Sequence, residues 1–99
     1  MINEVILVGK LIKKVGFRKV KGKKWYIIIL GVEKPLRNGE GFYEVEEIEC
    51  ALWPGDAYLF EEENYTYGFM SIKGRIEKLF DEHSIIVVEK IKLLDAYLK

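Results

Sequence analysis

The chain has one cysteine, Cys50, and one histidine, His83, and these two scarcities exclude much. A lone cysteine cannot build an internal disulfide framework, and it fits a reducing compartment, where Cys50 serves as a small core hydrophobe. With a single histidine there is no zinc-type Cys/His spacing, so no metal site is expected. Histidine catalysis would have to run through a polar turn with no nucleophile paired to it. A phosphate-binding loop and a nucleophile elbow are also missing, so neither an enzyme nor a bound cofactor is expected. No apolar run approaches the roughly 20 residues that span a bilayer. No charged-then-apolar leader opens the chain, and a soluble, cytoplasmic protein without membrane partners is the expectation.

What remains is 99 residues, 49% of them apolar, which is enough for one domain over residues 1–99 that buries roughly two-thirds of its unfolded surface. Net charge is zero but unevenly spread. Residues 1–34 hold nine Lys/Arg against two Glu, residues 35–70 one Arg against nine Asp/Glu, and residues 71–99 six against five. A basic first third in a neutral chain hints at a side that faces a polyanion, against the plainer reading of solvated lysines.

Val5, Ile6, Leu7 and Val8 are consecutive and apolar, which marks a central strand covered on both faces. Gly9 interrupts the run, as at a bulge or bend, so residues 3–13 read as one long coiled strand. Lys13–Lys24, with Gly16 and Gly22, reads as a loop and tight turn at a hairpin tip. Trp25–Val32 has strand chemistry on both faces. Pro35–Gly41 reads as a mobile connection. Glu44–Trp53 alternates as a half-buried third strand, with Ile48, Cys50 and Leu52 opposite Glu47, Glu49, Ala51 and Trp53. Asp56 is suited to cap a short helix through Ala57, Leu59 and Phe60. Phe69–Phe80 and Ile85–Leu94 supply the last two strands. Five strands with one short helix between the third and fourth give an all-β Greek-key barrel in the order of the OB-fold, which commonly binds oligonucleotides.

The opening Met-Ile-Asn-Glu-Val-Ile-Leu-Val-Gly-Lys-Leu resembles the start of the bacterial single-stranded DNA-binding protein family, Asn3, Gly9 and Leu11 included. Further matches are Leu30-Gly31-Val32, Ile48-Glu49-Cys50-Ala51-Leu52-Trp53, Ala57 and Gly74-Arg75, in the family's order along nearly the whole chain. The resemblance implies cooperative, largely sequence-independent coating of single strands by an oligomer of OB-folds, in DNA replication, recombination or repair. It sets Trp53 where the family stacks an aromatic on bases, Phe80 within a residue of another such position, and Arg18 and Gly22 in the first hairpin. Three departures stand out. Glu47 replaces a frequent aromatic and, with Glu49, puts negative charge on the expected binding face. The connection Leu79–Ser84 is short. The chain closes at Leu94–Lys99 without the disordered linker and acidic tip that recruit partners. A short, tail-less member also resembles the dimeric primosomal replication protein N family.

Sequence-tolerant single-strand binding needs a cationic groove and flat aromatic surfaces. The candidates are Lys10, Lys13, Lys14, Arg18, Lys19, Lys21, Lys23, Lys24, Lys73 and Arg75 for the groove, with Trp53, Trp25 and Phe80 for stacking. The plainer reading of Phe80 is a plug at the barrel end, and one of Trp25 and Tyr26 should point inside. Trp53→Ala is expected to weaken oligo(dT) binding with little change in melting temperature. The partner is single-stranded DNA, or RNA. A second hypothesis uses the OB-fold for protein contacts alone, with the acidic middle segment repelling DNA. Apolar residues on both sides of the first two strands, Ile6, Val8, Ile27 and Ile29 among them, call for burial against another copy, as a dimer or a tetramer.

Overall fold

The computed structural model describes residues 2–61, 68–80 and 83–94. Five strands, β1 (Val5–Val20), β2 (Lys23–Arg37), β3 (Tyr43–Leu52), β4 (Phe69–Phe80) and β5 (His83–Leu93), close into a barrel in the order β1-β2-β3-β5-β4. A 3-10 turn (Pro54–Asp56) and a single helical turn, α1 (Tyr58–Glu61), lie between β3 and β4. This is the OB-fold expected from the element order. No helix among the described residues is long and apolar enough to cross a membrane.

The coiled first strand does what the fold requires of it. Val5–Lys10 pairs with β4 and Lys10–Val20 with β2, so β1 changes partner at Lys10. Gly9 is not the bulge that its place in the run suggests. The two irregularities fall at Leu11/Lys13 and Lys14/Gly16. Gly9 instead lets two backbones cross, since a Cβ there would overlap the Gly31 carbonyl oxygen.

The basic stretch Lys13–Lys24 is mostly strand and not loop. Only Lys21-Gly22 turns, with φ of 49° and 81°, the two positive values of a type I′ hairpin. Residues 35–41 differ from expectation as well. β2 continues through Pro35 to Arg37, where the register with β3 is irregular and no ladder donor is demanded of the proline. The connection beyond it is a built turn: Asn38 Oδ1 accepts from the backbone N–H groups of Glu40 (2.9 Å) and Phe42 (3.1 Å).

Apolar residues form two clusters. The barrel interior holds Tyr26, Ile28, Leu30, Cys50, Leu52, Met70, Ile72, Ile86 and Val88, closed at one end by Ala57 and Phe60. A second cluster, Trp25, Ile27, Ala51, Ile85 and Val87, lies on the other face of β2, β3 and β5, because side chains alternate along a strand. Ala51 is fully buried, so the end of β3 is covered on both faces and is not half-buried. No charged or polar side chain is buried among the described residues. At this corner Asp56 lies inside the 3-10 turn, whose N-cap position is taken by Trp53 without a side-chain bond. The far end of the corner is tied by Lys14, whose Nζ donates to the Phe60 carbonyl at 2.9 Å.

Candidate nucleic-acid interface

Residues directly opposite one another in an antiparallel pair share a face, so the register sorts the candidate residues. On the outer face of β1 and β2, Arg18 lies opposite Trp25, Gly16 opposite Ile27 and Lys13 opposite Ile29. Lys23, opposite Val20, belongs to the same face by alternation. Across β2, Ala51 continues the Ile27 row, Glu49 the Ile29 row and Glu47 the Gly31 row. Trp53 follows the end of β3 and completes the Trp25 row, with ring centroids 4.5 Å apart at 40°.

The two tryptophans have different positions in this row. Trp53 is 40% exposed, whereas Trp25 is 3% exposed and belongs to the second cluster. Trp25 therefore has no free ring face; both it and Tyr26 are buried, but on opposite faces of β2. It acts as the floor on which the Trp53 indole rests. Lys23 Nζ stands 5.9 Å from the Trp53 ring centre, within the range of a cation–π contact. Trp53, Lys23 and Arg18 are thus gathered on one face, with Lys21 at the turn beside them. Lys13 lies four residues along β2 from Trp25, about 13 Å away.

Other candidates point elsewhere. Lys19 and Lys24 occupy the opposite face of the hairpin, where Lys24 Nζ sits 4.2 Å from the centre of the Phe17 ring. Lys14 is engaged with Phe60. Lys10, opposite Gly31, lies six residues along β2 from the Trp25 row, and its ammonium covers the Phe69 ring at 5.0 Å. Lys73 pairs with Glu4 at 3.0 Å, and that hydrogen bond together with the carboxylate charge holds its ammonium above the usual range. Arg75 is shared between Glu77 (3.0 Å) and Glu89 (3.4 Å). The side chain of Phe80 lies outside the described residues.

The carboxylates that weighed against nucleic acid are displaced from Trp53. Glu49 is in the Ile29 row, about 13 Å along the strand from the tryptophans, and faces His83 Nε2 at 3.4 Å. Glu47 is farther still, in the Gly31 row. Phe17, 43% exposed under Lys24, was missed by the sequence reading. An aromatic four residues before a Lys-Gly turn, one position from Arg18, was the available signal.

No family model matches the chain. Over 54 residues it is 37% identical to single-stranded DNA-binding protein 3 of Listeria innocua, a match that covers 54% of this chain and 34% of the relative. The chain thus spans about a third of the length of the curated relative it matches. Among solved structures it is similar to the Plasmodium falciparum SSB in complex with ssDNA, with a TM-score of 0.67 at 12% identity over 96% of each chain. It is also similar to the dimeric N-terminal domain of PriB from Thermoanaerobacter tencongensis, with a TM-score of 0.53 at 23% identity over 93% of this chain and 96% of that one. These structural likenesses establish the fold, and the resemblance first read from the opening strand recurs in the curated relative.

Proposed function

We propose that this chain binds single-stranded DNA without strong sequence preference, in replication, recombination or repair, and acts by binding and not by turnover. The observation that carries the proposal is the Trp53 indole, exposed on one side, floored by buried Trp25 on the other, and flanked by Lys23. A base stacks on such a surface whatever its identity, while Arg18, Lys21, Lys23 and Lys13 neutralise phosphates. The direct test is a titration of tryptophan fluorescence with oligo(dT) at two salt concentrations. Quenching that is strong at low salt and weakens steeply at high salt is expected, because cations released from the strand drive association. No quenching at micromolar protein and low salt would refute it and favour a module for protein contacts alone.

Self-association belongs to the same proposal, on a narrower surface than the sequence suggested. Ile27 is covered by its own chain in the second cluster and is unavailable. Ile6 (68% exposed) and Val8 (52% exposed) remain, and Val8 lines a groove of about 400 Å³ with Ile12, Val45 and Phe69. A contiguous apolar strip of this kind is uncommon on a monomer. Beside it, Val5–Gly9 pairs with β4 on one edge only, since pairing with β2 begins at Lys10. A second copy would satisfy both the strip and the open edge. Light scattering is expected to give a dimer or a tetramer, and Ile6→Lys with Val8→Glu a monomer. A monomeric mass for the unaltered chain would refute it.

A further inference from the structure

A second groove, of about 530 Å³, opens between the α1 corner and the outer face of β4 and β5. Its chemistry repeats that of the Trp53 site, although no sequence motif drew attention to it. Lys90 lies directly opposite Lys73 across the β4–β5 ladder, and Lys92 opposite Ser71. Like charges placed directly opposite one another cost stability unless something offsets them. Lys73 has Glu4, but Lys90 and Lys92 make no ion pair among the described residues. Of the two acidic residues on the rim among the described residues, Glu89 is engaged by Arg75, which leaves Asp56. Tyr58, 63% exposed, contributes an aromatic face to the same groove.

The groove is lined in part by the helical corner that follows Trp53. Trp53 and Tyr58 flank one short helical corner, Trp53 just after the end of β3 and Tyr58 in the groove. A strand leaving the Trp53 ring meets Tyr58 only after it has passed around that corner. We infer that this groove is a second contact for the same single strand, with Tyr58 as a stacking surface and Lys90 and Lys92 holding phosphates. It rests on the single-strand reading of the Trp53 site and extends it: the bound strand passes around the helical corner from β2–β3 to β4–β5.

The path dictates a dependence on length. A strand of about 5 nucleotides fills the Trp53 site alone, and one of about 15 reaches the second groove, both within the 4–16 nucleotides typical of an OB-fold. The experiment compares fluorescently labelled dT5 and dT15 by anisotropy, with the unaltered chain, Lys90→Ala/Lys92→Ala, and Tyr58→Ala. All three positions are exposed, and melting curves confirm that each variant is folded. For dT15, the double lysine variant is expected to bind about tenfold more weakly. Its log–log salt slope should fall by about 1.4, or 0.7 for each lost phosphate contact. Tyr58→Ala is expected to lose about fivefold to tenfold with the slope unchanged, as for one lost base stack. Affinity for dT5 should be unaffected in all variants. Unchanged dT15 binding in both variants, while the unaltered chain binds both strands, overturns the second groove and leaves the Trp53 site standing. Equal losses for dT5 and dT15 also overturn it, because the lysines would then act through the general field. Failure of the unaltered chain to bind either strand overturns both.

Discussion

Trp53→Ala separates stacking from charge more cleanly than any other change, because the proposed site sets a base on the face of the indole that Trp25 leaves open. Loss of one base–aromatic stack costs about 1–3 kcal/mol, which is about fivefold to 150-fold in affinity for oligo(dT). No cation is removed, so the slope of log affinity against log salt should stay where it was. The part of Trp53 that is not exposed packs on its own chain, including the Trp25 ring at 4.5 Å. An aromatic pair contributes about 0.5–1.5 kcal/mol beyond area burial. With the partial uncovering of Trp25 we therefore expect a stability loss of about 1–2 kcal/mol, or a fall in melting temperature of about 5–15 °C for a chain of this size. This revises the near-constant melting temperature expected from sequence, where Trp53 had no visible neighbour. Trp53→Phe keeps a flat ring on the same floor and should recover most of both quantities. Anisotropy with labelled oligo(dT) at three salt concentrations, beside a thermal melt, reads all of them. Unaltered affinity in the alanine variant would remove Trp53 from the site. A fall in salt slope as large as that of Lys23→Ala would mean that the indole works by holding Lys23 in place and not by stacking.

Removing the cations gives the complementary pattern. Lys23→Gln should lower the salt slope by about 0.7, with melting nearly unchanged, and a slope equal to that of the unaltered chain would place phosphates elsewhere. Gly9→Ala should destabilise the barrel by about 3 kcal/mol, at the upper end of ordinary overpacking costs, because its methyl group meets the Gly31 carbonyl oxygen and backbone cannot rotate away. A melting temperature within a degree or two of the parent would contradict that crossing. Burial, and then the Glu49 carboxylate, push the Cys50 thiol up to about 12. The folded chain should therefore resist thiol reagents at pH 8 and react once unfolded by denaturant. An unfolded thiol ionises near its ordinary value of 9 while the folded one keeps its proton. The unfolded state then binds fewer protons, so this contribution to stability is whole below pH 9 and is lost between pH 9 and 12, by at most about 1.4 kcal/mol per pH unit. Cys50→Ala should flatten that part of the curve, and an unchanged slope would assign it to other groups.

The strands, the helix between the third and fourth, and the barrel were legible because hydrophobic period and strand chemistry are local properties. Trp25–Ile28 is apolar at consecutive positions and is buried on both faces as expected, whereas Val5–Val8, read the same way, leaves Ile6 and Val8 exposed. Several local readings failed where pairing outweighed composition. The lysines of residues 13–24 suggest a loop, yet cross-strand pairing keeps them extended, since a charged side chain can project from a strand while its backbone stays bonded. Pro35 was excluded from a strand by its missing donor, but an irregular stretch of the ladder demands none.

Residue identity alone determined that this chain closes a small barrel, carries its positive charge early, and places a tryptophan after the third strand. Only the tertiary structure decided which charges and rings share a face. The register assigns Arg18 and Lys23 to the Trp53 side and Lys19 and Lys24 to the other, and the fold binds Lys14 and Lys73 to partners distant in sequence. It also buries Trp25 beneath Trp53 and brings Lys90 and Lys92 beside Tyr58. Composition fixes what a strand can bury, but the facing of each side chain depends on a pairing register set by bulges and turns, in which a slip of one residue exchanges the two faces.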